Sequence, residues 1–115
     1  MDSRSYQDHF FRKAKMSGYR SRSAYKLIEL DEKFKFLKKG IKLLDVGSFP
    51  GGWSQVAAEK IKNGKILSID KKKTNEIKGV KFIIGDFLEI KSKKTITQYF
   101  SSNIDVILSD MAPNT

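Results

Sequence analysis

From residue 41 onward, short aliphatic runs alternate with segments of helical spacing. Four runs, Ile41–Val46, Lys65–Ile69, Val80–Ile84 and Ile104–Leu108, read as strands buried in a parallel sheet. Between the first two, Trp53–Ile61 has helical texture and is closed by Asn63-Gly64, a pair that suits a helix stop. A weaker helical segment, Thr95–Phe100, lies between the last two. Ahead of the sheet, Leu27, Leu30 and Phe34 recur at three and four residues, one apolar stripe on a helix that Ser21 or Ser23 would cap and that runs to about Lys35. The pattern predicts an α/β chain with a Rossmann-type parallel sheet over residues 40–115, preceded by a basic helical arm over residues 1–39 that packs on it. Doubly wound sheets carry more than four strands, so this pattern is expected to be the first part of a larger sheet.

Charge changes this picture by suggesting a partner. Among 115 residues, 23 Lys and Arg face 13 Asp and Glu, a net charge of +10, which suits nucleic acid or an acidic membrane surface. Residues 4–22 interleave the cations with aromatics: Arg4, Tyr6, Phe10, Phe11, Arg12, Lys13, Lys15, Tyr19, Arg20 and Arg22. Such an arm is a candidate RNA-facing element, with Arg20, Arg22 and the run Lys71–Lys73 as candidate phosphate contacts. The absence of cysteine excludes disulfides and Cys-based zinc sites, and His9 alone makes no metal site, so no metal is expected. The apolar runs are far too short for a membrane span, and the start of the chain lacks the apolar core of a secretory signal. A cytoplasmic protein is expected; the basic start leaves a mitochondrial or other organelle as the alternative, against which Asp2 and Asp8 argue.

The stretch LLDVGSFPGGWSQVA, residues 43–57, carries the candidate chemistry. Gly47 and Gly52 fit the ends of the dinucleotide fingerprint Gly-x-Gly-x-x-Gly, but Phe49 fills the middle and blocks approach of a pyrophosphate. Gly47, Gly52 and Ser54 match the spacing of a triphosphate-binding loop, but Trp53 stands in the lysine's place. What survives is close backbone approach, which suits an adenosine-type ligand without phosphates, such as S-adenosylmethionine. Its zwitterionic tail would lie against Gly51 and Gly52, where a helix start favours a carboxylate. Asp70, ending the second run, is placed for the ribose hydroxyls, and Asp86 in IIGDF for the adenine amino group, with Phe87 near the base. With Asp110, three acids end successive runs on the edge where such sheets bind ligands.

These residues resemble the FtsJ/RrmJ family of ribosomal RNA 2′-O-methyltransferases. The matching pieces, in the family's order, are GYRSRSAYKLIELDEKF, LLDVGSFPGGWSQVA, IDKKK, GDF and ILSDMAPN. SDMAPN looks more like the large-subunit rRNA branch than the tRNA branch. The resemblance implies a Rossmann-like methyltransferase fold, S-adenosylmethionine as donor, and a ribose 2′-hydroxyl of a large-subunit rRNA uridine as acceptor. The partner would be ribosomal RNA or the large ribosomal subunit, and a monomer is expected. By motif position Gly51, Trp53, Asp70, Asp86 and Asp110 resemble cofactor-binding residues. Lys26 and Asp110 match the first lysine and the aspartate of a Lys-Asp-Lys-Glu catalytic tetrad, and Lys26 joins Arg20 and Arg22 on the RNA side. On its own, Lys26 reads as a solvated helix lysine with Glu29 as a local partner. Two departures stand out: Phe49 occupies a position that is usually Ala, and the second lysine and the glutamate would lie beyond Thr115. The alternative is a catalytically incomplete fragment that serves only as a cofactor- or RNA-binding module.

Overall fold

A computed structural model describes residues 18–109. The alternation of runs and helical segments becomes α1 (Ser23–Phe34), β1 (Lys42–Val46), α2 (Gly52–Lys60), β2 (Lys65–Asp70), β3 (Val80–Ile84), α3 (Ile90–Phe100) and β4 (Val106–Ser109). The strands form one sheet in the order β3-β2-β1-β4, every pair parallel. β1 is therefore flanked on both sides: Leu43 lies between Ile66 and Val106, and Val46 between Ile69 and Ser109. The chain steps outward through β2 and β3, then crosses back to β4, so the order reverses between β1 and β4. Ligands of open parallel sheets bind beside such a reversal, outside the carboxyl ends of the strands.

Strand alternation sends successive side chains to opposite faces. Leu43 and Ile66 face α1 and α2, where they pack with Ala24, Leu27, Trp53 and Val56. Leu44, Val46, Leu67 and Ile69 face α3 and meet Ile96 and Phe100. Register partners Asp45 and Ser68 place polar groups under α2, where the Ser54 hydroxyl lies 2.8 Å from an Asp45 carboxylate oxygen and 2.7 Å from Ser68 Oγ. All three are buried, and a buried polar group avoids a desolvation cost only when hydrogen-bonded in this way.

Several boundaries differ from the sequence expectation for identifiable reasons. α3 starts at Ile90 rather than Thr95, because its inward face reads Ser92, Ile96, Phe100 and the buried serine hides the first turn of the apolar pattern. The last strand spans 106–109, not 104–108, because the chain enters it through Asp105, whose carboxylate accepts the Lys42 N–H at 2.8 Å. α1 is capped by neither serine: its N-cap is Arg22 with no side-chain cap, and Ser21 and Ser23 bond each other at 2.8 Å. Phe34, read as part of the apolar stripe, is exposed, because the buried face runs through Ala24, Leu27 and Asp31 and the helix ends at a left-handed Lys35. Asp31 then accepts the Leu37 N–H at 2.8 Å and pairs with Lys60 at 3.4 Å, tying the end of α1 to α2. α2 stops at Lys60, and Asn63-Gly64 makes the turn into β2 instead, with Asn63 at φ 56° and Gly64 against the Ile41 carbonyl. No helix among the described residues is long and apolar enough to cross a membrane.

Candidate functional site

The glycine turn leaves the carboxyl end of β1 and folds over the end of β2. Gly47, at φ 74°, and Ser48 both donate their N–H groups to the Ile69 carbonyl, at 2.8 and 3.2 Å. Phe49 donates its N–H to Asp70 Oδ2 at 2.9 Å, while Asp70 Oδ1 accepts the Lys72 N–H at 2.8 Å. One carboxylate at the end of β2 thus holds both the β1 turn and the loop that follows β2. Above it, the Lys72 ammonium sits 5.1 Å from the centre of the exposed Phe49 ring.

Asp86 is brought beside this pair because the Gly85 N–H donates to the Asp70 carbonyl at 3.0 Å. Its Oδ1 accepts the Leu88 N–H at 2.9 Å and its Oδ2 lies 3.5 Å from Lys71 Nζ. The Leu88 hydrogen bond, with Lys71 adding to it, holds the Asp86 carboxyl below its ordinary pKa. Asp70 and Asp86 therefore converge on one edge as expected.

The glycines of the turn face the chain's own N-terminal segment. Gly51, the N-cap of α2, is left-handed at φ 112°, and a Cβ there would lie 2.9 Å from Arg20 Nη1 and 3.2 Å from the Thr74 methyl. A Cβ on Gly52 would collide with the Ser21 hydroxyl. Residues 18–20 are strapped along α2: Tyr19 donates to Glu59 Oε2 at 2.6 Å, the Arg20 N–H donates to Gln55 Oε1 at 2.7 Å, and Gln55 Nε2 donates to the Gly18 carbonyl at 3.2 Å. Burial and the Glu59 carboxylate push the Tyr19 phenol up to about 12.

Two expected roles change accordingly. The Arg20 side chain is not a free phosphate contact: Nη1 donates to the carbonyls of Asn75 at 2.6 Å and Pro50 at 3.4 Å, and Nη2 to that of Glu76 at 3.0 Å. The Trp53 side chain does not line the turn; it is buried between α1 and α2, and its indole N–H donates to the Ser23 carbonyl at 2.7 Å. Only its main chain, at the start of α2, remains for a ligand. Phe87, beside Asp86, is half-buried and packs against the cluster under α3. Arg22 and Lys26 are exposed at the start of α1. Asp110 lies outside the described residues, though Ser109 before it is paired with Val46 beside the turn.

Two residues escaped the sequence reading. The hydroxyls of Ser48, in the glycine turn, and Thr74, in the loop after β2, are buried with no hydrogen-bond partner among the described residues. They stand on the two segments that Asp70 joins. The edge presents the carboxylates of Asp70 and Asp86 and the N–H groups that open α2. Ser48 was visible as a polar letter inside the turn, whereas nothing in the spacing marked Thr74. No cluster of three or more metal-ligating side chains occurs among the described residues.

Fold and site together define a parallel α/β domain that gathers a glycine turn and two carboxylates at the carboxyl edge of its central strands. A family model described as FtsJ-like methyltransferase matches residues 19–115, and the chain belongs to that family. It is 48% identical over 109 residues to "Ribosomal RNA large subunit methyltransferase E" of Pelagibacter ubique, covering 95% of this chain and 54% of that protein. The protein of the same name from Rickettsia africae is 44% identical over 118 residues, covering 97% of this chain and 52% of the relative. The chain thus spans about half the length of these curated relatives. A crystal structure described as a ribosomal RNA methyltransferase from Plasmodium falciparum superposes with a TM-score of 0.76 at 43% identity, covering 84% of this chain and 58% of that one.

Proposed function

We propose that the protein transfers a methyl group from S-adenosylmethionine to a ribose 2′-hydroxyl of ribosomal RNA, with a uridine of the large subunit as the target. The carrying observation is the Asp70 carboxylate, which joins the glycine turn to the loop after β2 in a chain of the FtsJ-like methyltransferase family. When bound, the donor supplies an electrophilic methyl group on a sulfonium, so no metal is needed to activate it.

The chain's own residues bind and orient. Asp70 would accept from the donor's ribose hydroxyls, Asp86 from its adenine amino group, and the start of α2 at Gly51 and Gly52 would face its carboxylate. Holding the acceptor oxygen in line with the methyl group supplies much of the rate. Lys26, exposed near the start of α1, would orient that oxygen and stabilise charge developing on it, with Asp110 positioning the ammonium group. Arg22 and Lys73 would contact phosphates, which positions RNA without reading its sequence. We place the protein in the cytoplasm as a monomer.

Calorimetric titration with S-adenosylmethionine, alongside Asp70→Ala, tests the donor site; transfer of labelled methyl to large-subunit rRNA tests the reaction. Saturable binding lost in the variant, together with labelled rRNA, is the expected result. Binding without transfer by the full-length protein would instead identify a binding module, and absence of binding by the folded protein would overturn the donor assignment.

A further inference from the structure

Arg20 belongs to a basic segment, yet its guanidinium points at main-chain oxygens. It reaches Pro50 in the glycine turn and both Asn75 and Glu76 in the loop after β2. These two segments are the ones that Asp70 joins from the other side through the N–H groups of Phe49 and Lys72. The main chain of Arg20 is itself fixed on α2 by Gln55, and Tyr19 before it by Glu59. Gly51 lets the guanidinium approach, since a Cβ there would lie 2.9 Å from Nη1.

We infer that Arg20 is a positioning residue for the methyl-donor site: it clamps the glycine turn and the 71–76 loop at a fixed separation, and so sets donor affinity rather than RNA affinity. This rests on the donor reading proposed above. The planar fork of a guanidinium is what allows one side chain to reach carbonyls on two segments at once; an ammonium group, a single compact charge, does not reproduce that geometry. The loop it holds is rich in like charge, with Lys71, Lys72 and Lys73 all exposed, and would otherwise be driven apart. Pairing with carbonyl oxygens lets a further cation sit within that field, while Lys73 stays available to phosphates.

The test compares the full-length protein with Arg20→Ala and Arg20→Lys by three measurements: calorimetry with S-adenosylmethionine, amide hydrogen exchange, and the salt dependence of binding to a large-subunit rRNA fragment. The expected result in both variants is a rise of roughly tenfold or more in donor Kd. The Phe49 and Lys72 amides should exchange at least about tenfold faster while the amides of β1 keep their protection. The slope of log affinity against log salt should be unchanged, whereas a lost phosphate contact would lower it by about 0.7–0.9. Should Arg20→Ala fail to fold, Arg20→Lys carries the same expectations. A lowered salt slope with donor Kd and exchange unaltered, or full restoration of donor binding by lysine, would overturn the inference. If the unmodified protein does not bind the donor, the donor reading fails, and with it the affinity role. The exchange rates would then still decide whether the clamp exists.

Discussion

Phe49 and Asp70, 21 residues apart, are joined by a 2.9 Å hydrogen bond from the main chain of one to the carboxylate of the other. The contact makes the acid at the end of β2 part of the architecture of the β1 turn as well as a candidate ligand group. Asp70→Ala should therefore act twice, lowering donor affinity by about 10- to 100-fold through lost hydrogen bonds to a charged acceptor and loosening the turn. Calorimetry measures the first effect, and amide exchange at Phe49 the second. Asp70→Asn, which keeps one side-chain oxygen, should fall between the parent and alanine.

Gly52→Ala should destabilise the protein by about 1–3 kcal/mol, the usual cost of forcing a methyl into a filled space, because the new Cβ meets the Ser21 hydroxyl. Removing that hydroxyl in Ser21→Ala leaves the Ser21 Cβ at 3.3 Å as the next contact. The double variant should then recover a substantial part of the loss. Denaturant melts of the four proteins give the coupling energy, and strict additivity would show that the two residues do not meet.

The Tyr19 phenol, pushed up to about 12 from its ordinary 10, binds its proton more tightly in the folded protein. Its contribution to stability is fully present below pH 10 and is lost as pH rises through about 12. Tyr19→Phe removes both the donor to Glu59 and this titration. The parent should lose stability relative to Tyr19→Phe across that alkaline window, as measured by melts at stepped pH. Identical alkaline profiles would show that the phenol is neither desolvated nor paired with Glu59 in solution.

Trp53 is the single tryptophan of the chain, and its side chain belongs to the contact between α1 and α2. Its fluorescence should report separation of those helices on unfolding and remain nearly unchanged when S-adenosylmethionine is added. Trp53→Phe, which removes the indole hydrogen bond to the Ser23 carbonyl, should cost about 0.5–1.5 kcal/mol with little change in donor Kd. A large quench on donor binding would place the indole in the ligand site instead.

Ser54→Ala removes a donor to the buried Asp45 carboxylate and a partner of Ser68. A loss of about 1–3 kcal/mol is expected, read as a lower denaturant midpoint at unchanged slope.

β1 and β2 were legible because burial on both faces leaves them mostly aliphatic, interrupted only by Asp45 and Ser68, and they came out within one residue of their ends. Helices were legible only where their inward face is apolar: Ser92 concealed the start of α3, and Phe34 was credited to a face that Asp31 occupies. At the site, Asp70 and Asp86 were found because strand ends can be counted along the chain. The partner of the glycine pair was not. Gly51 and Gly52 announce a close approach, but sequence spacing does not say that Arg20 and Ser21 are among the groups that approach. The arginine's contacts with residues 75 and 76 leave no local periodicity, and its place in a basic segment pointed to phosphate instead.

The strap has a consequence for how the molecule is made. Arg20 is among the first residues of the described chain to be synthesised, and its carbonyl partner at Glu76 follows 56 residues later. Contacts so distant in sequence are entropically costly to close. During translation, α1 and β1 can form while the N-terminal side of the glycine turn still has no counterpart across it. The clamp closes once the loop beyond β2 has emerged, while β3 and β4 are still to come, so a nascent chain can bridge the two sides of the glycine turn before its sheet is complete.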